Sequence, residues 1–358
     1  MEKLKPFLRI IAFAVVLVLV VHVLTYLARP DFPDVKDIAG FYGEQENALD
    51  LVYIGGSAAF VYYAPLTAWE EFGLASYVYG ANTIQPELYV TLIREMLKTQ
   101  RPKLILLDAR AFQYRDVENE DAQPPAEVPY RNTLNGMPLS WNKIQFIHQY
   151  VGTQIPGPRL SFYLDLIKFH QNIPDFCPDN LQMLTGSYFH PYSGFHFVEK
   201  WAPTPRYEVS TTEQKPLSPD TREILTELLD YLDSTGIDCV FVVSPYAEKN
   251  SHKMTYNYVA EQVAARGYPF LDCNEKVDEM GLDFSEDFYN EGHVTVFGAE
   301  KYTRFLAAYL MDRYALPDRR GDPDYAFLDD RLPGWHQAME QTKAAILRLK
   351  EEATAYAE

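Results

Sequence analysis

Residues 51–60 read LVYIGGSAAF, an apolar run that passes straight into Gly-Gly-Ser. A continuous apolar segment of that length, bounded by glycine, predicts a strand buried on both faces, as in parallel sheets. The turn that follows puts the hydroxyl of Ser57 at the carboxyl end of the strand, where open α/β sheets collect their ligands. Two readings of Ser57 stay open on this stretch alone. Glycines that let the backbone turn sharply, with a following amide to donate to an oxyanion, suit a nucleophile. A helix cap or a phosphate-cradling turn needs the same residues.

On either side of this strand, short apolar runs alternate with helical periodicity, the pattern of strands joined by crossover helices. Residues 65–72 open a helix with proline in its first turn, 76–79 (SYVY) form a second strand, 87–99 a helix and 103–107 (KLILL) a third strand. From 109 to 215 the alternation gives way to Pro-, Tyr- and Asn-rich sequence with isolated helical stretches such as 160–171, which predicts an inserted cap. It resumes with a helix at 219–234, a strand at 239–243 (CVFVV), a helix at 254–266, a short strand at 269–271 and a helix at 298–314. The expectation is an α/β domain over 48–315 with a parallel sheet, preceded by a linker at 31–47 and followed by a tail, 316–358, with a charged helix from 337 to 356.

The chain has 358 residues, 47% of them hydrophobic and 14% aromatic, enough apolar surface to offset the entropy of ordering it. A formal net charge of −18 repels phosphate backbones and excludes nucleic acid as a partner. Three scattered cysteines offer neither a zinc spacing nor a disulfide framework.

Residues 10–27 (IIAFAVVLVLVVHVLTYL) carry no charge and are long enough at helical rise to cross a bilayer, so 1–30 read as a cytoplasmic stub and a transmembrane anchor. Lys3, Lys5 and Arg9 precede the run, whereas Asp31, Asp34 and Asp37 follow Arg29, which predicts a single-pass protein of the cell membrane with its N-terminus cytoplasmic and its domain outside. A cleaved signal peptide is the competing reading, against which stand the length of the run and the lack of an A-x-A site.

Two further segments hold candidate chemistry. In residues 76–85 (SYVYGANTIQ) a strand ends at Gly80, whose amide, with the side chain of Asn82, suits an oxyanion site; Gln85 lies within reach of substrate. Ordinary turn chemistry explains the same residues. In residues 287–302 (DFYNEGHVTVFGAEKY), His293 precedes a helix and is placed to fold back and accept the serine proton. His190 and His196 have no carboxylate at a ligand spacing in the sequence around them, so neither a metal nor any cofactor is expected.

Taken together, IGGSAAF, YGANTIQP and NEGHVTVFGAEKYT, spread over residues 48–310, resemble the SGNH/GDSL hydrolase superfamily in its membrane-anchored Firmicute-type branch, and more distantly the D-alanyl-transfer protein of teichoic acid modification. The resemblance implies a three-layer αβα fold with a flavodoxin-like parallel sheet, Ser57 as nucleophile, His293 as base and Gly80 as an oxyanion donor. Three departures go with it. Gly56 stands where the family has aspartate, and Ser244-Pro245-Tyr246 replaces the block that carries its asparagine donor, for which Asn82 is the substitute.

The third is Asn290, where the family places the triad aspartate. Asp287 is the favoured replacement, with Glu291 nearby, while Asn290 itself can orient the imidazole without charge, as in Cys-His-Asn sites. Arg131, Asn132 and Lys143 resemble a segment of the same branch, and Arg131 is read either as a hold on an anionic glycan or as part of a surface ion pair.

The implied activity is that of a serine esterase or O-acyltransferase working on acyl, chiefly acetyl, esters of a cell-envelope polysaccharide. A membrane-bound O-acyltransferase partner would feed acyl groups outward. The alternative is a non-catalytic SGNH-like module that binds glycan or acts as a scaffold.

Overall fold

A computed structural model describes residues 4–118 and 126–357, which leaves outside it Lys3 of the flanking charge and 119–125 of the expected insertion. Five strands, β1 (Leu51–Gly55), β2 (Ser76–Gly80), β3 (Leu104–Asp108), β4 (Asp238–Val243) and β5 (Phe270–Asp272), pair in parallel in the order β2-β1-β3-β4-β5. Their continuous apolar runs are explained by burial on both sides. Val52, Ile54, Tyr77 and Leu107 enter one core, and Leu51, Tyr53, Val78 and Leu106 the other.

The main helices are, in chain order, α1 (Leu4–Leu27), α2 (Pro33–Phe41), α3 (Ser57–Phe60), α4 (Pro65–Phe72), α5 (Tyr89–Thr99), α6 (Arg110–Glu118), α7 (Pro219–Thr235), α8 (Asn250–Ala265), α9 (Val296–Arg313) and α10 (Leu332–Ala357), with further helices between α6 and α7. Ile93 of α5, Leu228 of α7 and Val259 of α8 pack in the first core; Leu66 of α4, Leu306 of α9 and Met339 of α10 pack in the second. Local signals set the helix ends. Ser218 caps α7 by accepting from the Thr221 amide, Pro219 occupies its first turn, and Gly236 closes it at φ 67°.

α1 has no polar face and lies outside both cores; a stretch of 18 of its residues has a mean hydropathy of 2.8, so it is long and apolar enough to cross a membrane. It does not lead into a linker. Residues 31–47 contain α2, whose Ile38 and Phe41 are buried against Tyr77 and Tyr79 of β2. Its polar aspartates hid that apolar stripe from a reading by composition.

The insertion likewise departs from the expected cap. Its helices Asp165–Phe169 and Asp179–Thr185 pack on α1, at whose end Arg29 reaches Asp165 at 3.3 Å and the Met137 carbonyl at 2.8 Å, while Glu127–Leu134 and Trp141–Tyr150 join the first core against α2 and α5.

Candidate active site

The parallel register aligns the ends of β1, β2 and β3, and α3 begins at Ser57 immediately beyond β1. Gly55 permits this turn: a Cβ there would lie 2.7 Å from that of Asp108 and 2.8 Å from that of Ala59. At Gly56 the nearest atom to an added Cβ is 3.4 Å away, so a side chain fits at the position where the resembled family carries aspartate.

His293 arrives from a different part of the chain on a tight antiparallel hairpin, β6 (Phe288–Asn290) and β7 (His293–Val294), in which Asn290 pairs with His293. Its Nε2 lies 2.7 Å from Ser57 Oγ and its Nδ1 2.9 Å from Asn290 Oδ1. The Gly292 amide donates to that same Oδ1 at 2.8 Å, which identifies the atom as the carbonyl oxygen. Nδ1 must therefore carry the imidazole proton, and Nε2 presents its lone pair to the serine hydroxyl. That is the tautomer a general base needs.

Several groups hold the hairpin at this distance. The Tyr62 hydroxyl lies 2.7 Å from the Pro245 carbonyl and 2.8 Å from that of Gly292, with one proton shared between them. Arg110, fully buried, donates to the Gly292 carbonyl at 3.0 Å and to Ser244 Oγ at 3.1 Å. The Ala247 amide donates to the Glu291 carbonyl, and the Tyr289 ring stacks on His293 with centroids 5.4 Å apart. Burial, reinforced by the Arg110 guanidinium, drives the His293 pKa down to about 3.

Ser57 and His293 open on a cavity of about 260 Å³, also lined by Ala58, Asn82, Gln85, Asp108 and Tyr114. Asn82 is exposed on it, and its amide is held by Asp34 of α2. Thr83 beside it has φ 53°, an unusual conformation for a β-branched residue. Gln85 is buried; its Nε2 donates to the Thr83 carbonyl at 2.9 Å, while its Oε1 has no hydrogen-bond partner among the described residues. Asp108 accepts from the Arg110 amide at 3.0 Å and weakly from Gly56 at 3.4 Å, and burial raises its pKa.

Four expected residues, Asp287, Glu291, Gly80 and Arg131, lie elsewhere. Asp287 does not reach the imidazole: its Oδ2 takes the Asp283 amide at 2.8 Å and Lys301 Nζ at 2.6 Å, fixing the turn before β6 to α9. Glu291 accepts from Tyr207 instead. Gly80 does not line the cavity; it pairs with Gly55, and a Cβ there would lie 1.7 Å from the Gly55 carbonyl oxygen, so its lack of a side chain serves strand packing.

Arg131 is buried in the insertion, paired with Glu127, donating to Ser161 and lying over the Phe162 ring, with none of these residues on the cavity. Arg131→Ala should therefore lower stability to denaturant by on the order of 2–3 kcal/mol and leave KM for a small ester unchanged.

Arg110, Asp108 and Tyr62 escaped the sequence reading. The signal for the first two was present, since the run 103–108 (KLILLD) ends on Asp108 at the carboxyl end of a buried strand, two residues before Arg110. A scan against family models finds no match to this chain and a search of curated proteins finds none either.

Proposed function

We propose that this chain is a membrane-anchored serine esterase or O-acyltransferase acting on acyl, chiefly acetyl, esters of a cell-envelope polysaccharide. The observation that carries the reading is the relay Ser57 Oγ, His293 Nε2, His293 Nδ1, Asn290 Oδ1, with contacts of 2.7 and 2.9 Å. Ser57 Oγ attacks the ester carbonyl as its proton passes to Nε2. The oxyanion is met by the amides that open α3 and by the Asn82 side chain. Collapse expels the sugar alcohol, which takes the proton back from Nε2 and leaves an acyl-serine. Water then completes hydrolysis, or a second sugar hydroxyl completes transfer.

Asn290 orients the ring but brings no charge to the imidazolium, and Arg110 opposes that cation while favouring the oxyanion. The strand order β2-β1-β3-β4-β5 is consistent with a flavodoxin-like sheet, which is what supports the resemblance to SGNH hydrolases. In this reading α1 crosses the membrane with its N-terminus inside, the domain faces outward, and a membrane O-acyltransferase partner supplies acyl groups when the reaction runs as transfer.

A fluorophosphonate added to the full-length chain in detergent should form an adduct on Ser57, located by peptide mass spectrometry, and should fail to do so in His293→Ala. A chain that stays unlabelled would leave the glycan-binding reading, which the uncharged Asn290 favours.

A further inference from the structure

Away from the catalytic cavity, α2 brings Asp37 against two histidines of the coil before α7, and one ligand atom from each of Asp37, His190 and His196 lies within 4.8 Å of the others. Asp37 is fully buried. Its Oδ1 is 3.2 Å from His190 Nε2 and its Oδ2 is 2.6 Å from His196 Nε2. Both imidazoles are at ion-pair distance from the carboxylate, yet among the described residues neither carboxylate oxygen nor His196 Nε2 has a partner in good hydrogen-bond alignment. Buried polar atoms nearly always have one. Orphans that converge from separate elements ask for a shared partner, and a cation satisfies all of them at once.

We propose that Asp37, His190 and His196 bind a divalent transition-metal ion, with Zn²⁺ the best match to two imidazole nitrogens and one carboxylate oxygen. Ca²⁺ and Mg²⁺ require more oxygen donors than this cluster offers. His190 and His196 also line a cavity together with Asp31, Lys36 and Tyr188.

The His190 ring is fixed in place, because its Nδ1 accepts from the Tyr192 amide at 3.2 Å and the Gly194 amide at 3.0 Å. That arrangement keeps the proton of the neutral ring on Nε2. The incoming ion displaces it, so one proton leaves to solvent as the His190 bond forms, and binding weakens as pH falls.

The position of the cluster gives the ion a structural role. The His196 amide donates to the carbonyl of Phe60, the last residue of α3, at 2.9 Å, and the two rings pack 4.3 Å apart. One turn before Asp37 on α2, Asp34 holds the Asn82 amide. The ion thus ties α2 to the helix that carries Ser57 and to the loop that carries Asn82, whatever reaction they perform.

Full-length chain purified in detergent without a histidine tag should contain about one zinc per chain by inductively coupled plasma mass spectrometry. A chelator should remove it and lower Tm, and Zn²⁺, not Mg²⁺, should restore Tm. Asp37→Asn, which preserves shape, should lose the zinc. Because that variant can misfold, the apo wild-type chain is also titrated with Zn²⁺ against a chromophoric chelator. Failure of wild-type protein to hold zinc either as isolated or on titration overturns the proposal, as does equal zinc in a folded Asp37→Asn chain.

Discussion

Ser57→Ala should lower p-nitrophenyl acetate turnover by the detergent-solubilised full chain by about 10⁴-fold, down to whatever the oxyanion groups and binding supply alone. His293→Ala should fall to a similar level, because nucleophile and base act as one unit and their losses do not add. Folding is not expected to suffer in Ser57→Ala, since the side chain's hydrogen bond is to His293 and α3 keeps its backbone contacts from Gly56. An unchanged Tm with lost turnover would assign the loss to chemistry. Equal rates in wild type and both variants would end the enzymatic reading.

Asn290→Asp should change the pH profile as well as the rate. In the wild type, burial and Arg110 hold the His293 pKa down at about 3, so the base is neutral throughout the accessible range and kcat/KM should be flat from about pH 5 to 8. A carboxylate on Nδ1 favours the imidazolium and raises that pKa toward the ordinary histidine value. Protonation then silences the base at low pH, so an acid limb should appear between about pH 5 and 7. Above it, charge on the third member should raise kcat by about 10- to 10³-fold. The Gly292 amide can donate to an aspartate oxygen as it does to Asn290, so the hairpin need not rearrange. A flat profile and an unchanged rate would mean that the Nδ1 contact does not operate during turnover.

The sheet was readable because β1, β3 and β4 are nearly uninterrupted apolar runs, each too short for a helix, as expected of strands buried on both faces. Ser57 and His293 were readable for a related reason: one follows such a run directly and the other directly precedes a long helix. The orienting group was not. Choosing Asp287 over Asn290 valued charge above geometry, and the hairpin that sets the geometry has strands of three and two residues, too short to leave a periodic trace.

Arg131 shows the same limit in reverse. An arginine in a polar stretch suggests contact with a ligand, yet its partners Glu127 and Ser161 lie in its own insertion and bury it. The pairing of Asp37 with His190 and His196 is set by tertiary structure, which no local spacing encodes.

The junction of Arg29 with Asp165 makes the apolar helix a post rather than a rope. Arg29 is locked into the insertion and α2 follows within a few residues, so little slack exists for the domain to swing. If α1 stands in a bilayer as proposed, the mouth of the Ser57 cavity would have a fixed altitude and heading. Cutting the chain at Pro30 would strip Asp165 of its arginine along with the leash.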